Sequence, residues 1–338
     1  MESFQVLDEK DVSTLIRKSA KKTCKSDPMP TSLIIDCLDV LLPFITKMVN
    51  VSLTTGHFPN AWKEALVSPL FQKGCEDMEY KNLRPISNLQ FVSKITEKAA
   101  SDQIYNHILA NNVHVFPPLQ SAYRKHHGTE TALLKVINDI HVNMNNQQVT
   151  LLVFLDLSSA FDTVDHDILI NRIQTSFGIT DTALLWLKSY LSGRSIRVII
   201  DESTSESLNI PYGVPQGSCL GPLLFTIYAS KLFEVVKHHL PNAHADDTKL
   251  YLAFKPETTQ CQEDAMEAME KCIKAVRAWM VTDKLKLNKG KTEFMIIGTR
   301  QQLKKVTVDQ LLVGDMRVTP VSNVKDLGVW LDSHLKFD

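Results

Sequence analysis

The stretch AHADDTKLYLAF, residues 243–254, decides the fold. Leu250, Leu252 and Phe254 alternate with Lys249, Tyr251 and Ala253, the two-residue period of a half-buried strand. Asp246, Asp247 and the polar Thr248 precede that strand, so the acidic pair is expected in the tight turn of a β-hairpin. Well upstream, Asp156 closes the apolar run TLLVFLDL (150–157), which reads as a buried strand with a carboxylate at its end, where ligands usually sit. Adjacent carboxylates repel unless solvent screens them or a cation neutralises them, and hard oxygen donors suit Mg²⁺ or Mn²⁺. Taken alone, an Asp-Asp turn is more often a plain solvated turn. The rest of the chain reverses that balance.

Outward from this pair, the pattern predicts helices over 33–54, 91–111, 129–145, 166–177, 181–191, 223–238 and 258–284. The last is the clearest: Met266, Met269, Ile273, Val276 and Met280 recur at steps of three and four, a stripe that reads as core-facing. Strands are expected at EALVSPLFQK (64–73), SIRVIID (195–201), TEFMIIG (292–298) and KDLGVWLD (325–332). Residues 1–25 are polar and Lys-rich and read as a linker-like segment. The order of strands and helices implies an α+β fold in which an antiparallel sheet carries helices on one face. Asp156 and the Asp-Asp turn can then meet on adjacent central strands.

At 338 residues, with 44% hydrophobic and 22% charged, the chain is long enough for more than one subdomain. Its 37 Lys and Arg nearly balance 38 Asp and Glu, so global charge argues for no particular partner. The six cysteines form no C-x-x-C pair, which excludes a zinc framework and points to a reducing compartment, cytosol or nucleus. No secretory signal is read at the start. The apolar run LLPFITKMV (41–49) is interrupted by Pro43 and Lys47, so no membrane span is expected.

Three further segments carry chemistry. In LDLSSAFDTVDH (155–166), Phe161 follows Asp156 by five residues, where a ring can lie beneath a sugar; core packing is its commoner use. In GVPQGSCLGPLLF (213–225), Gly213, Gly217 and Gly221 permit close backbone approach, two prolines stiffen the path, and Gln216 offers both donor and acceptor. Lys73 and Arg84 flank the polar loop GCEDMEYKNLRPISN (74–88) and can grip phosphates, Arg as a planar fork and Lys as a point charge. Lys291, in LKLNKGKTEFMII (285–297), is a candidate general acid, with Lys289 an equally available cation.

Taken in order, LDLSSAFDTVDH, GVPQGSCLGPLLF, ADDTKLY, LKLNKGKTEF and KDLGVWLD resemble the palm motifs of reverse transcriptases from non-LTR (LINE-type) retrotransposons. YKNLRPISNLQFVSKITEK (80–98) and LQSAYRKHHGTETALLKV (119–136) resemble the fingers motifs of that family. The resemblance implies a right-hand polymerase with fingers at 26–150 and a palm at 151–338 that includes a primer-grip hairpin, and with the thumb largely absent. It implies RNA-directed DNA polymerisation: two Mg²⁺ ions, or Mn²⁺, serve transfer of dNTPs to a DNA primer on an RNA template. Asp156, Asp246 and Asp247 would hold the metals with the Leu157 carbonyl. Lys291 would protonate the leaving pyrophosphate. Phe161 matches the steric gate, Gln216 with Gly217 the nucleotide-side loop, Arg84 and Lys73 the triphosphate cations, and 327–331 the primer grip.

Two departures accompany these matches. His244 stands where relatives usually carry an aromatic residue, and LPNAHADD (240–247) is about two residues shorter than the family's approach to the turn, an even change that keeps strand alternation. The competing reading is therefore a catalytically inactive retrotransposon remnant that at most binds nucleic acid. A nucleotidyl cyclase or metal-dependent nuclease would leave Phe161, the Gln216 loop and the hairpin cations unexplained. Oligomeric state is not legible in the sequence.

Overall fold

A computed structural model describes residues 1–71, 79, 83–111, 127–239, 244–246 and 249–335. The first half of the chain runs α1 (Glu9–Arg17), α2 (Thr31–Asp36), α3 (Leu38–Thr55), β1 (Glu64–Phe71), β2 (Leu83–Asn88), α4 (Phe91–Asn111), α5 (Thr129–Asn145) and β3 (Val149–Phe154). It continues through α6 (His166–Phe177), α7 (Asp181–Leu191), β4 (Arg194–Ile200), β5 (Ser203–Thr204), β6 (Leu208–Ile210), α8 (Gly221–Ala229) and α9 (Leu232–His239). The remainder is β7 (His244–Asp246), β8 (Lys249–Phe254), α10 (Thr259–Thr282), β9 (Glu293–Ile297), α11 (Arg300–Leu303), β10 (Leu311–Val313), β11 (Met316–Val318), β12 (Asn323–Asp326) and β13 (Val329–Asp332). These elements form two compact units, Met1–Val115 with Phe161–Tyr228, and Phe116–Ala160 with Ala229–Asp338. This division by compactness falls elsewhere than the 150/151 boundary expected between fingers and palm.

The first unit carries a mixed sheet ordered β2-β1-β4, with β5 and β6 also pairing β4. Strands β1 and β4 run parallel and the other pairs antiparallel. Residues 1–25, expected to be linker-like, instead include a packed helix. Asp8 and Asp11 close a capping box at the start of α1, which satisfies end N–H groups that would otherwise be orphaned. Val12 and Ile16, one turn apart, are fully buried, and Phe4 packs edge-on against Trp186. The polar composition hid a short apolar stripe. The expected helix 33–54 is divided at Cys37 into α2 and α3, and the expected helix 223–238 is divided at Ser230–Lys231 into α8 and α9. Among the described residues α3 is the one helix long and apolar enough to cross a membrane, and it packs against α1, α4 and α7.

The second unit is built on a sheet ordered β7-β8-β3-β9, antiparallel throughout. β3 is buried from Val149 to Val153. In the ladder, Tyr251, Leu152 and Met295 lie directly opposite one another, and residues opposite in register share a face. These three join Val136 and Ile140 of α5 and Val324 and Leu331 of the last hairpin in one core. Met269, Ile273, Val276 and Met280 of α10 are buried, as the Met stripe predicts. KDLGVWLD, whose pattern reads as a short strand and which the resemblance places in a hairpin, folds as the β12–β13 hairpin. Leu327 and Gly328 both take positive φ, 47° and 97°, the backbone requirement of a two-residue turn that follows strand twist.

Candidate active site

The sheet of the second unit brings the acidic candidates to one end. Asp246, the last residue of β7, pairs with Lys249; Lys249 pairs with Phe154, and Phe154 with Glu293, so four strands meet in one register row. Asp156 lies two residues beyond Phe154, just past the end of β3. The expectation that the Asp246-Asp247 hairpin lies beside the Asp156 strand is met by β8, with β7 one strand further out. Asp247 itself lies outside the described residues, as does Lys73.

Asp156 is held by the segment 285–291. Its carbonyl accepts from the Asn288 N–H at 2.8 Å and its Oδ2 from Asn288 Nδ2 at 3.1 Å, while Lys291 Nζ stands 3.8 Å from the same oxygen. The Asp156 side chain remains 43% exposed. Leu157 faces Leu287 in an isolated antiparallel bridge whose two hydrogen bonds are made by Asp156 and Ser158. In that arrangement the Leu157 N–H and C=O point away from the 285–288 segment. A concavity of about 420 Å³ is lined by Asp156, Lys249, Lys291, Lys325, Asp326 and Leu327, among others. Within it, Lys249 Nζ contacts Asp326 Oδ1 at 2.8 Å with both side chains buried. This pair joins the residue that begins β8 to the last residue of β12. Among the described residues no group of three or more His, Cys, Asp and Glu is clustered in metal-binding geometry.

The first unit assembles a second set of candidates. Gln216 Nε2 donates to both carboxyl oxygens of Asp162 at 3.1 Å, and the Gln216 carbonyl accepts from the Ser87 N–H at 2.7 Å. Desolvation raises the Asp162 pKa while the Gln216 donor opposes it. Gly217 has φ of 118°, and a Cβ there would lie 2.7 Å from the Ser87 carbonyl oxygen, so both the turn and the close approach require glycine. At Gly213, with φ of 85°, a Cβ would meet the Phe161 and Asp162 backbone at about 3 Å. The Phe161 ring is stacked on Phe225, centroids 5.1 Å apart. Asp165 caps α6 by accepting from the Ile168 N–H at 3.0 Å, whereas Asp162 is engaged by Gln216. Arg84 is exposed on β2, opposite Leu70.

The reverse transcriptase (RNA-dependent DNA polymerase) family matches residues 72–331, most of the chain. The chain belongs to the reverse transcriptase family. It is 30% identical over 302 residues to the probable RNA-directed DNA polymerase from transposon BS of Drosophila melanogaster, covering 87% of this chain and 32% of that protein. It is 27% identical over 337 residues to the RNA-directed DNA polymerase from the mobile element jockey of the same organism, covering 97% and 35%. The chain thus spans about a third of the length of these curated relatives. Apo telomerase from Candida tropicalis, truncated from its C-terminal domain, superposes with a TM-score of 0.50 at 10% identity, covering 82% of this chain and 54% of that one. That likeness speaks to the polymerase fold alone.

Read as a reverse transcriptase, the chain contains polar residues that its motifs alone do not single out. Asn288 is an unremarked residue of LKLNKGK, and only the fold lays it along Asp156. Lys249 and Asp326 are far apart in sequence and pair only in the folded unit. Glu97 has a faint signature: in α4 it occupies the stripe Ser93, Glu97, Ala100, Ile104, Ile108, every member of which is fully buried. An acid on a core stripe at helical spacing asks for partners. His244 keeps its ladder position opposite Tyr251. The shortened approach at 240–243 lies outside the described residues.

Proposed function

We propose that the chain is the polymerase portion of an RNA-directed DNA polymerase, joining dNTPs to the 3′-hydroxyl of a DNA primer on an RNA template. The observation that carries this reading is the meeting of Asp156 and the Asp246 end of β7 at one end of an antiparallel sheet, with Lys291 beside Asp156. The donor chemistry suits a divalent cation. Asp156 is half-exposed, its described side-chain contacts both use Oδ2, and Leu157 turns a carbonyl away from its bridge partner. Asp156, Asp246, Asp247 and the Leu157 carbonyl would hold two Mg²⁺, or Mn²⁺. Such ions supply activation of the primer hydroxyl and neutralisation of charge on the triphosphate.

The remaining work falls to side chains of this chain. Asn288 fixes the carboxylate of Asp156 so that its direction is set before substrate arrives. Lys291 delivers a proton to the departing pyrophosphate. Phe161, immobilised on Phe225, excludes a 2′-hydroxyl from the nucleotide sugar. Gln216 and Gly217 lie on the loop that meets the incoming nucleotide, and Arg84 with Lys73 binds its triphosphate. Residues 327–331 grip the primer. In functional terms 26–150 acts as fingers and 151–338 as palm.

The test is primer extension by purified protein on an RNA template with a DNA primer, dNTPs and Mg²⁺ or Mn²⁺, beside Asp246→Asn. Extension that disappears in the variant supports the reading. A folded protein that extends nothing under either metal overturns it and leaves the inactive remnant.

A further inference from the structure

The 213–221 loop is anchored from beneath by a buried acid that the proposed chemistry does not use. Glu97 Oε2 accepts from the backbone N–H of Cys219 at 2.9 Å and of Leu220 at 3.3 Å, with the Tyr190 hydroxyl at 3.5 Å. Its Oε1 accepts from Ser93 at 3.2 Å. Glu97 is fully buried, and the nearby cation, Arg194, is also buried; its Nη1 donates to the Tyr190 carbonyl while its guanidinium lies over the Tyr190 ring. Burial pushes the Glu97 pKa up, opposed first by Arg194 and then by the two N–H donors. The same surroundings push the Cys219 thiol up to about 11.

The cost of placing an acid there is set against what it organises. Cys219 and Leu220 lie just ahead of α8, and the Ser218 hydroxyl accepts from the Gly221 N–H at 2.9 Å. Immediately before them, Gln216 and Gly217 press on Ser87, with the Gln216 amide directed to Asp162. The loop is therefore clamped at one end by β2 and at the other by α4. An apolar residue at position 97 would leave two backbone N–H groups buried without acceptors.

We propose that Glu97 is a positioning residue for the nucleotide-side loop: by seizing the N–H groups of Cys219 and Leu220 it fixes the setting of Gln216 and Gly217. This deepens the polymerase reading and rests on it for the identity of what Gln216 meets. Its physical content, a local anchor, stands apart from activity.

Hydrogen–deuterium exchange is followed for 213–221 and for the rest of the first unit in the wild-type chain, Glu97→Gln and Glu97→Met, with the KM and kcat for dNTP measured alongside. Glu97→Gln keeps the shape and one acceptor, so it remains informative if Glu97→Met fails to fold. Loss of about one hydrogen bond predicts roughly tenfold faster exchange at 218–221 in Glu97→Gln and more in Glu97→Met. The KM for dNTP should rise about as much, with kcat and primer-template affinity little changed. Unchanged exchange at 218–221, or exchange accelerated equally throughout the unit, overturns the proposal. Local acceleration in a chain whose wild type extends no primer upholds the anchor and defeats the polymerase reading alone. Local acceleration with an unaltered KM defeats the positioning role.

Discussion

Glu97, within α4, and Asp156, just beyond the end of β3, are both carboxylates of a reverse transcriptase chain, and their surroundings differ in kind. Glu97, in the first unit, is sealed from water and accepts from a serine, a tyrosine and two backbone N–H groups. Asp156, in the second, is 43% exposed and is touched at one oxygen by Asn288 and, more distantly, by Lys291. The first has spent its acceptor capacity on the protein. The second keeps capacity for something that arrives from solution. An acid's role follows less from its identity than from how many of its lone pairs the fold consumes.

The contrast can be broken at several points. The largest effect is expected at Asp156→Asn: primer extension should vanish while the denaturation midpoint stays close to wild type, because a half-exposed carboxylate contributes little to stability. A variant that loses stability in step with activity would place Asp156 with Glu97 as a structural acid. Next comes Asp326→Ala, which takes from the buried Lys249 its 2.8 Å carboxylate partner at the start of β8. A loss on the order of 3 kcal/mol is expected by urea titration, with extension impaired even where the protein remains folded. A loss below about 1 kcal/mol would mean that the pair is solvated in practice.

A smaller effect is expected at Asn288→Ala. Extension should fall by about 10–100-fold, as when the support of a metal-binding carboxylate is removed, with stability nearly unchanged. An unchanged rate would show that Asp156 needs no orienting partner. The smallest effect is a pH slope. Burial raises the pKa of Glu97 above its ordinary 4.5, so the folded chain retains a proton that the unfolded chain has already lost. Stability contributed by that proton is present at low pH and declines as pH rises through the window above 4.5, in the company of Arg194, Tyr190 and Cys219. Glu97→Gln should remove that slope between about pH 5 and 8 in denaturant titrations, where wild type and variant are compared. Parallel curves would contradict the assignment.

Much of this molecule was legible before folding. The alternation after Asp246-Asp247, the apolar run before Asp156 and the Met stripe of α10 report period directly, and the strands and helix appear where those periods place them. The glycines of 213–221 were legible as permitting a close backbone approach; the approach that the fold makes at Gly217 is to Ser87 of β2, which the spacing does not name. What escaped were breaks and partners. The division at Cys37 and the split before α9 depend on backbone angles that no periodicity encodes. Residues 1–25 escaped because the buried side chains Phe4, Val12 and Ile16 stand scattered in a largely polar segment, too sparse to register as a pattern yet enough to seat a helix.

The sequence by itself determined the family and the strongly periodic strands and helices, and it singled out Asp156 and Asp246 as candidates, since each of these depends on residue type and local spacing. Tertiary structure alone decided which acids remain open to solvent, that Asn288 steadies Asp156, that Lys249 meets Asp326, and that Glu97 takes hold of the 219–220 backbone. Those outcomes depend on the desolvation and pairing of groups remote in the chain. Only the packed fold brings such groups within hydrogen-bond reach.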